Sequence, residues 1–195
     1  MLLDKLKNYN IILGSSSPRR KELLAGLGIN FEVSKIDADE SYTEDTPTFD
    51  ISKTIAYNKS LAYDKELKDN DILITADTIV VIEKTVLGKP SDRDEAVKML
   101  KTLSGKKHQV ITGVCLRTAT SHKLFSSITE VAFRKLTEKE INYYIDNYKP
   151  YDKAGSYGVQ EWIGFSAITG INGSYYNVMG LPVQVLHTEL NKFIG

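Results

Sequence analysis

The chain has 195 residues, enough to bury one hydrophobic core, and we expect a single domain over residues 1–195. Lys and Arg number 25, as do Asp and Glu, so no global positive field attracts DNA or RNA, and any nucleotide must be met by local charge. The sequence begins with no signal segment and has no run of about 18 apolar residues, which favours a cytoplasmic protein over a secreted or membrane-spanning one.

Strand and helix patterns alternate along the chain, which is typical of an α/β domain with a central sheet and flanking helices. The predicted strands are Ile11–Leu13, Phe31–Ile36, Ile72–Ala76, Thr78–Glu83, Val110–Thr118 and Leu124–Phe133. The predicted helices are Pro18–Leu27, Phe49–Lys68, Asp92–Leu103 after a Ser91 cap, Glu138–Asn147 after a Thr137 and Glu140 capping box, and Pro182–Phe193. The last two strands form an expected antiparallel hairpin, so we predict a mixed sheet. Residues 149–177 show only weak periodicity.

The first strand leads through three serines into a helix that opens with proline and two arginines. Ser17 suits the N-cap and Pro18 the first helical position. Free backbone N–H groups and the positive end of the helix dipole would then lie beside Ser15, Arg19 and Arg20, which favours a phosphate. The alternative is an ordinary helix start with solvated arginines.

Asp77 is the leading catalytic candidate, because it ends the apolar run Ile72–Ala76, where solubility explains a carboxylate poorly. The alternative is that Asp77 starts a turn. Lys59 stands among small residues that would let it reach inward, and Glu40 belongs to an acidic loop that could supply a metal ligand. Solvated side chains are the alternative for both.

Four later residues complete the candidates. Lys89, between Gly88 and Pro90, could meet a phosphate as a point charge, although such a tetrapeptide is also a common surface turn. Gln160 could read the edge of a base through paired hydrogen bonds. His108 is interpreted as a structural histidine, and Cys115, the only cysteine, as a buried core thiol.

Taken together and in order, these motifs resemble those of the Maf family over nearly the whole chain. The motifs are Ser15-x-Ser17-Pro-Arg-Arg20, Ala76-Asp-Thr78, Leu87-Gly-Lys-Pro90, Ser104-Gly-x-x-His108 with Thr112-Gly113, Asp152-Lys-Ala-Gly-x-Tyr-Gly-x-Gln160 and Gly180-Leu-Pro182. Glu161-Trp162 departs from the family pattern, which more often has glycine after the glutamine.

The resemblance implies a house-cleaning nucleoside triphosphate pyrophosphatase that releases a monophosphate and pyrophosphate. It also implies a fold similar to inosine triphosphate pyrophosphatases, with a mixed sheet, flanking helices and a deep cleft between two lobes. Asp77 matches the family's proton acceptor. Arg19, Thr78 and Gln160 match positions associated with substrate choice, and their identities resemble the branch acting on dTTP and UTP. CTP and modified pyrimidine nucleotides stay open as further substrates.

On this basis Arg20, Lys59, Lys89 and the first helix's N-terminus are expected to hold the triphosphate. Asp77 and Glu40 are expected to help bind Mg²⁺ or Mn²⁺, and Asp77 to activate water directly or through the metal. The alternatives are a pyrophosphatase of the 7-methyl-GTP type, or a non-catalytic, nucleotide-responsive regulator of division, because the family name comes from an effect on septum formation. The sequence does not determine the oligomeric state; among oligomers the homodimer is the most common.

Overall fold

The computed structural model describes residues 1–195 as alternating helices and strands. In chain order the elements are α1 (Leu2–Leu6), β1 (Asn10–Gly14), α2 (Pro18–Ala25), β2 (Glu32–Ser34), α3 (Thr48–Leu61), β3 (Asp71–Ile82), β4 (Thr85–Leu87), α4 (Arg93–Leu103), β5 (Lys107–Arg117), β6 (His122–Phe133), α5 (Glu138–Tyr148), a 3-10 turn (Ala154–Ser156), α6 (Trp162–Ala167), β7 (Ile168–Asn172), α7 (Tyr175–Met179) and α8 (Val183–Phe193). None of the helices combines the length and apolar character that crossing a membrane requires.

The strands form one seven-stranded sheet in the order β2-β1-β3-β5-β6-β7, with β4 paired to β3. Strand β1 runs parallel to both β2 and β3, whereas β3 with β4 and β6 with β7 are antiparallel. A four-residue connection, closed by a hydrogen bond from Thr118 N to Ser121 O, joins neighbours β5 and β6, as the predicted hairpin requires. The predicted mixed α/β sheet is therefore confirmed.

The prediction that Asp77 ends a strand is wrong, and so is the alternative that it starts a turn. The two predicted strands on either side of it are one continuous strand, β3, from Asp71 to Ile82. Its carboxylate is paired with the Lys59 ammonium, so the charge does not have to reach solvent and the strand continues past it.

Other predicted boundaries also differ, among them those of α3 and α4. The helix predicted over Phe49–Lys68 ends at Leu61, because Leu67 packs with Ile12 and Leu73 outside the helix. The N-cap of α4 is Asp92 instead of Ser91, since its carboxylate accepts from the Glu95 N–H. The predicted caps Ser17 and Thr137 are both confirmed.

Residues 149–177 hold four short elements that periodicity did not reveal: the 3-10 turn, α6, β7 and α7. Elements of three to six residues are too short for a helical or strand period to show. Positive φ values at Gly155, Ser156 and Gly173 turn the backbone within this segment.

The chain divides into two compact units. The first comprises Met1–Asp77, Thr112–Ser127 and Gly180–Gly195, and the second comprises Thr78–Ile111 and Ile128–Met179. The second unit has a large apolar core to which β3, β5, β6, α4 and α5 contribute. A single domain over the whole chain stays a prediction.

In the first unit, α3 lies very close to β5 and is tied to β3. A Cβ added at Gly113 would overlap the main chain of Ser52 and Lys53, so only glycine permits this approach. The Thr75 hydroxyl donates to Ala56 O at 2.6 Å, and Cys115 Sγ lies 3.5 Å from Ser60 Oγ. Cys115 is fully buried, as predicted. These contacts fix the face of α3 that carries Lys59.

In the second unit, His108 is buried, and its Nε2 lies 2.8 Å from the Tyr157 hydroxyl. Its ring makes edge contacts with Phe133 and Tyr157, which agrees with a structural histidine. Burial lowers the pKa of His108 from 6.5 to about 4, because the charged imidazolium is poorly solvated there.

His108 should therefore make stability fall as the pH falls from 6.5 toward 4. In this range His108 is protonated in the unfolded chain but not in the folded chain. Acidification therefore lowers the free energy of unfolding, by up to about 3 kcal/mol. Urea unfolding between pH 7 and 4.5 should show a flatter pH dependence for His108→Gln than for the unmodified chain. Parallel pH profiles would contradict this assignment.

Candidate active site

Lys59 lies between two carboxylates. Its Nζ is 2.7 Å from Asp77 Oδ1 and 2.9 Å from Glu40 Oε1. The side chains of Lys59 and Asp77 are only 12% and 8% exposed, whereas that of Glu40 is 44% exposed. The Asp77 and Lys59 charges are thus withdrawn from water as a pair, and Glu40 joins them from the surface. The sequence-based alternative of solvated side chains is wrong for Lys59.

The way in which β3 packs against α3 brings Asp77 and Lys59 together. Side chains two apart along a strand share a face, so Thr75 and Asp77 point the same way. Thr75 bonds to the carbonyl of Ala56, and Asp77 bonds to Lys59, three residues further along the helix. Two successive contacts between one strand face and one helix face therefore set the position of the Asp77 carboxylate.

The start of α2 has the local geometry predicted for it. Ser17 accepts from the Arg20 N–H, Pro18 is the first helical residue, and Ser15 Oγ accepts from the Ser17 N–H at 3.2 Å. Ser15 is buried and Arg19 is half-buried. The Ser15 hydroxyl thus shapes the loop that leads into the helix.

Arg20 is oriented by the main chain of a distant segment, since its Nε donates to Gly180 O at 2.8 Å. Removal from water lowers the pKa of Arg20, and the opposing effect of the Asp77 carboxylate raises it. Glu40 acts in the same sense as Asp77. Arg20 therefore belongs to the same electrostatic group as Glu40, Lys59 and Asp77.

The other three predicted residues lie in the second unit. Thr78 follows Asp77 in β3 and is half-buried, and Lys89 is exposed in the turn after β4. That turn is held by a hydrogen bond from Gly155 N to Gly88 O at 3.0 Å. Gln160 is half-buried, and its side-chain oxygen Oε1 is buried with no hydrogen-bond partner.

A family model described as Maf-like protein matches residues 10–193. The chain belongs to the Maf-like family. It is 54% identical over 192 residues to a protein of Phocaeicola vulgatus named dTTP/UTP pyrophosphatase, covering 98% of this chain and all of the relative. Proteins with the same name are 54% identical in Parabacteroides distasonis, over 98% of this chain and all of the relative, and 45% identical in Flavobacterium johnsoniae, over the full length of both.

In this Maf-like chain, no group of three or more His, Cys, Asp or Glu side chains is arranged to hold a metal ion. Asp77 and Glu40 share one ammonium and so lie near each other. Mg²⁺ is commonly bound by one or two carboxylates together with substrate phosphates and water. The pair therefore fits a metal that arrives with a triphosphate.

A group of interacting side chains that sequence reasoning did not assemble lies next to Gln160. Lys153 Nζ is 2.7 Å from Asp152 Oδ1 and 3.1 Å from Glu161 Oε1, and the Tyr144 hydroxyl donates to Glu161 Oε2. The sequence signalled Asp152 and Lys153 through the Asp152-Lys-Ala-Gly motif, and Glu161 as a departure from the Maf pattern. Tyr144 gave no signal, because in a helix pattern it reads as a core residue.

Replacing Lys59 by methionine should lower the free energy of unfolding by about 3 kcal/mol, because it leaves the Asp77 carboxylate buried without its closest cation. Urea titration measures the change, and Lys101→Met, at the exposed ion pair with Glu138, is the matched control. Adding Asp77→Asn to the Lys59→Met chain should recover part of the loss, since the unpaired charge is then gone. Additive effects of the two changes would show that the pair is not coupled.

Proposed function

We propose that this protein is a nucleoside triphosphate pyrophosphatase that converts dTTP and UTP to their monophosphates and pyrophosphate. The observation that carries the proposal is the buried Asp77 and Lys59 pair, in a chain of the Maf-like family whose relatives are named dTTP/UTP pyrophosphatase. A charged pair in a withdrawn position is costly to maintain for stability alone, which favours a catalytic use.

Asp77 acts as the proton acceptor in this proposal. A water oxygen attacks the α-phosphorus, its proton passes to the Asp77 carboxylate, and the bond from the α-phosphorus to the bridging oxygen breaks to release pyrophosphate. Lys59, at 2.7 Å, holds the carboxylate in one orientation. No covalent intermediate with the protein is needed, since positioning and charge stabilisation supply most of phosphoryl-transfer catalysis.

The triphosphate is held by cations and by the start of α2. Arg20 and Lys59 lie in the charge group around Asp77, and Lys89 is exposed on its turn. Ser15 and the N–H groups of the first turn of α2 offer neutral donors, which suit phosphate oxygens. A guanidinium such as that of Arg20 binds such oxygens in a fork, whereas a lysine acts as a point charge.

Asp77 and Glu40 are the residues that would hold a divalent ion, Mg²⁺ or Mn²⁺. When bound, such an ion offsets phosphate charge and polarises the phosphoryl oxygens. Glu40 suits this use because it is the more exposed of the two carboxylates on Lys59 and can exchange partners at little cost.

Gln160, Arg19 and Thr78 select the base. The Gln160 oxygen is a buried acceptor without a partner, and uracil and thymine both present an N3–H donor. An acceptor that is satisfied only by ligand supports recognition of a base edge, because leaving it unsatisfied has a free-energy cost. We also propose a cytoplasmic protein that takes a free nucleotide as its partner.

Asp77→Asn should keep the fold and lower turnover by roughly 100-fold or more, because the amide cannot accept the proton. Pyrophosphate release is measured with dTTP, UTP, CTP, dGTP and 7-methyl-GTP, with Mg²⁺ or Mn²⁺. The matched control is Asp50→Asn, on exposed helix surface beside Lys53. Near-normal turnover in Asp77→Asn would remove that residue from the mechanism, and a panel in which only 7-methyl-GTP is cleaved would reassign the substrate.

Arg19→Ala and Gln160→Ala should alter the order of preference within the same nucleotide panel more than they alter stability. Both side chains are only half-buried, so their loss opens no large cavity. The measurement is kcat/KM for each nucleotide beside thermal unfolding. An unchanged order of preference in both variants would refute the assignment of base selection.

A further inference from the structure

The turn that carries Gln160 is held by a closed set of hydrogen bonds. The Gly158 N–H donates to the Tyr144 hydroxyl at 3.0 Å, and that hydroxyl donates to Glu161 Oε2. The other carboxylate oxygen of Glu161 is 3.1 Å from the ammonium of Lys153. The Glu161 N–H closes the turn itself by donating to Gly158 O at 3.0 Å. The turn that contains Gln160 is therefore fixed at both ends, at Gly158 and at Glu161.

All three side chains of this set are withdrawn from water. Tyr144 is fully buried, and the side chains of Lys153 and Glu161 are 9% and 18% exposed. Burial, followed by the hydrogen bond to Glu161, raises the pKa of Tyr144, so the hydroxyl keeps the proton that it donates. Breaking one contact in such a set leaves a buried polar group unsatisfied, so the set resists loosening.

The turn is also tightly packed at Gly158. A Cβ added there would lie 2.8 Å from Glu161 Cδ and 3.2 Å from Gln160 Nε2. The carboxylate of Glu161 and the amide of Gln160 therefore flank the same glycine. A movement of the Glu161 side chain would change the space available to the Gln160 amide.

Tyr144 and Lys153 make the polar side-chain contacts of Glu161. The Gln160 Oε1 atom is buried and has no partner. The turn is thus fully anchored on either side of one unsatisfied acceptor, which is the arrangement expected where a ligand supplies the missing donor.

We propose that Glu161, anchored by Tyr144 and Lys153, is a positioning residue that fixes the Gln160 amide and so sets the selectivity for uracil and thymine over cytosine. This inference rests on the proposed function. It adds Glu161, Lys153 and Tyr144, which act through the position of Gln160, to the residues that determine specificity.

The chemistry of the bases explains why a fixed amide matters. Uracil and thymine present an N3–H donor beside a carbonyl acceptor, whereas neutral cytosine presents an N3 acceptor beside an amino donor. An amide held in one orientation matches one order of donor and acceptor, but an amide free to rotate by half a turn matches both. Loosening the turn should therefore weaken binding of UTP and reduce the discrimination against CTP.

The test compares Glu161→Gln, Tyr144→Phe, Lys153→Met and the conservative Lys153→Arg in the full chain. For the first three we expect KM for UTP to rise about fivefold, with kcat within about twofold, and the UTP to CTP ratio of kcat/KM to fall about fivefold, the equivalent of one net hydrogen bond. Lys153→Arg should keep the unmodified ratio. The matched control is Asp146→Asn. Asp146 is on the same helix as Tyr144, and its replacement breaks an exposed ion pair with Arg93.

Thermal unfolding of each variant separates positioning from a merely structural role. A purely structural role predicts a lower melting temperature with KM and the UTP to CTP ratio unchanged in the folded variants, and that result would overturn the inference. The variants remove different contacts, so a single variant that folds is enough to measure the change in the UTP to CTP ratio of kcat/KM. If the unmodified chain releases pyrophosphate from neither UTP nor dTTP, the proposed function fails; if it does and the ratio is the same in every folded variant, only the inference fails.

Discussion

The arrangement of the first unit depends on a constraint of electrostatics: a carboxylate withdrawn from water needs a cation or hydrogen-bond donors in place of the water that it loses. Asp77 satisfies it through Lys59, and Lys59 reaches that position because α3 lies directly against β5 and β3. Transferring both charges out of water has a large unfavourable term, so the surroundings must hold them in good geometry. The missing side chain at Gly113 and the hydroxyl of Thr75 are what seat the helix closely enough.

In each unit a main-chain group of a glycine positions a polar side chain. In the first, a main-chain carbonyl at Gly180 orients the Arg20 guanidinium, and in the second, a main-chain N–H at Gly158 meets the Tyr144 hydroxyl. In both cases the main chain of a glycine makes the hydrogen bond to the polar side chain. Chemistry-bearing groups are thus placed by rigid backbone and not by the long side chains themselves.

Patterns that depend on neighbouring residues were predictable from the sequence. The Ser17 cap, the Thr137 and Glu140 capping box and the alternation of strands and helices follow from local rules, and the structure confirms them. The continuity of β3 through Asp77 was not predictable, because it depends on a lysine 18 positions away in the chain. The anchoring of Glu161 depends likewise on Tyr144, 17 positions away. A family pattern supplied the candidate residues of the site, whereas the contacts that hold them come only from the fold.

The reactivity of Cys115 can report on the packing of α3 against the sheet. Its thiol is fully buried on β5 and lies against Ser60, the residue next to Lys59 on α3. Burial also raises the pKa of this thiol, so the reactive thiolate is scarce while the helix is seated. Lifting of α3 from the sheet would uncover the sulfur, so maleimide labelling of the single cysteine under native conditions reports opening of the contact that places Lys59.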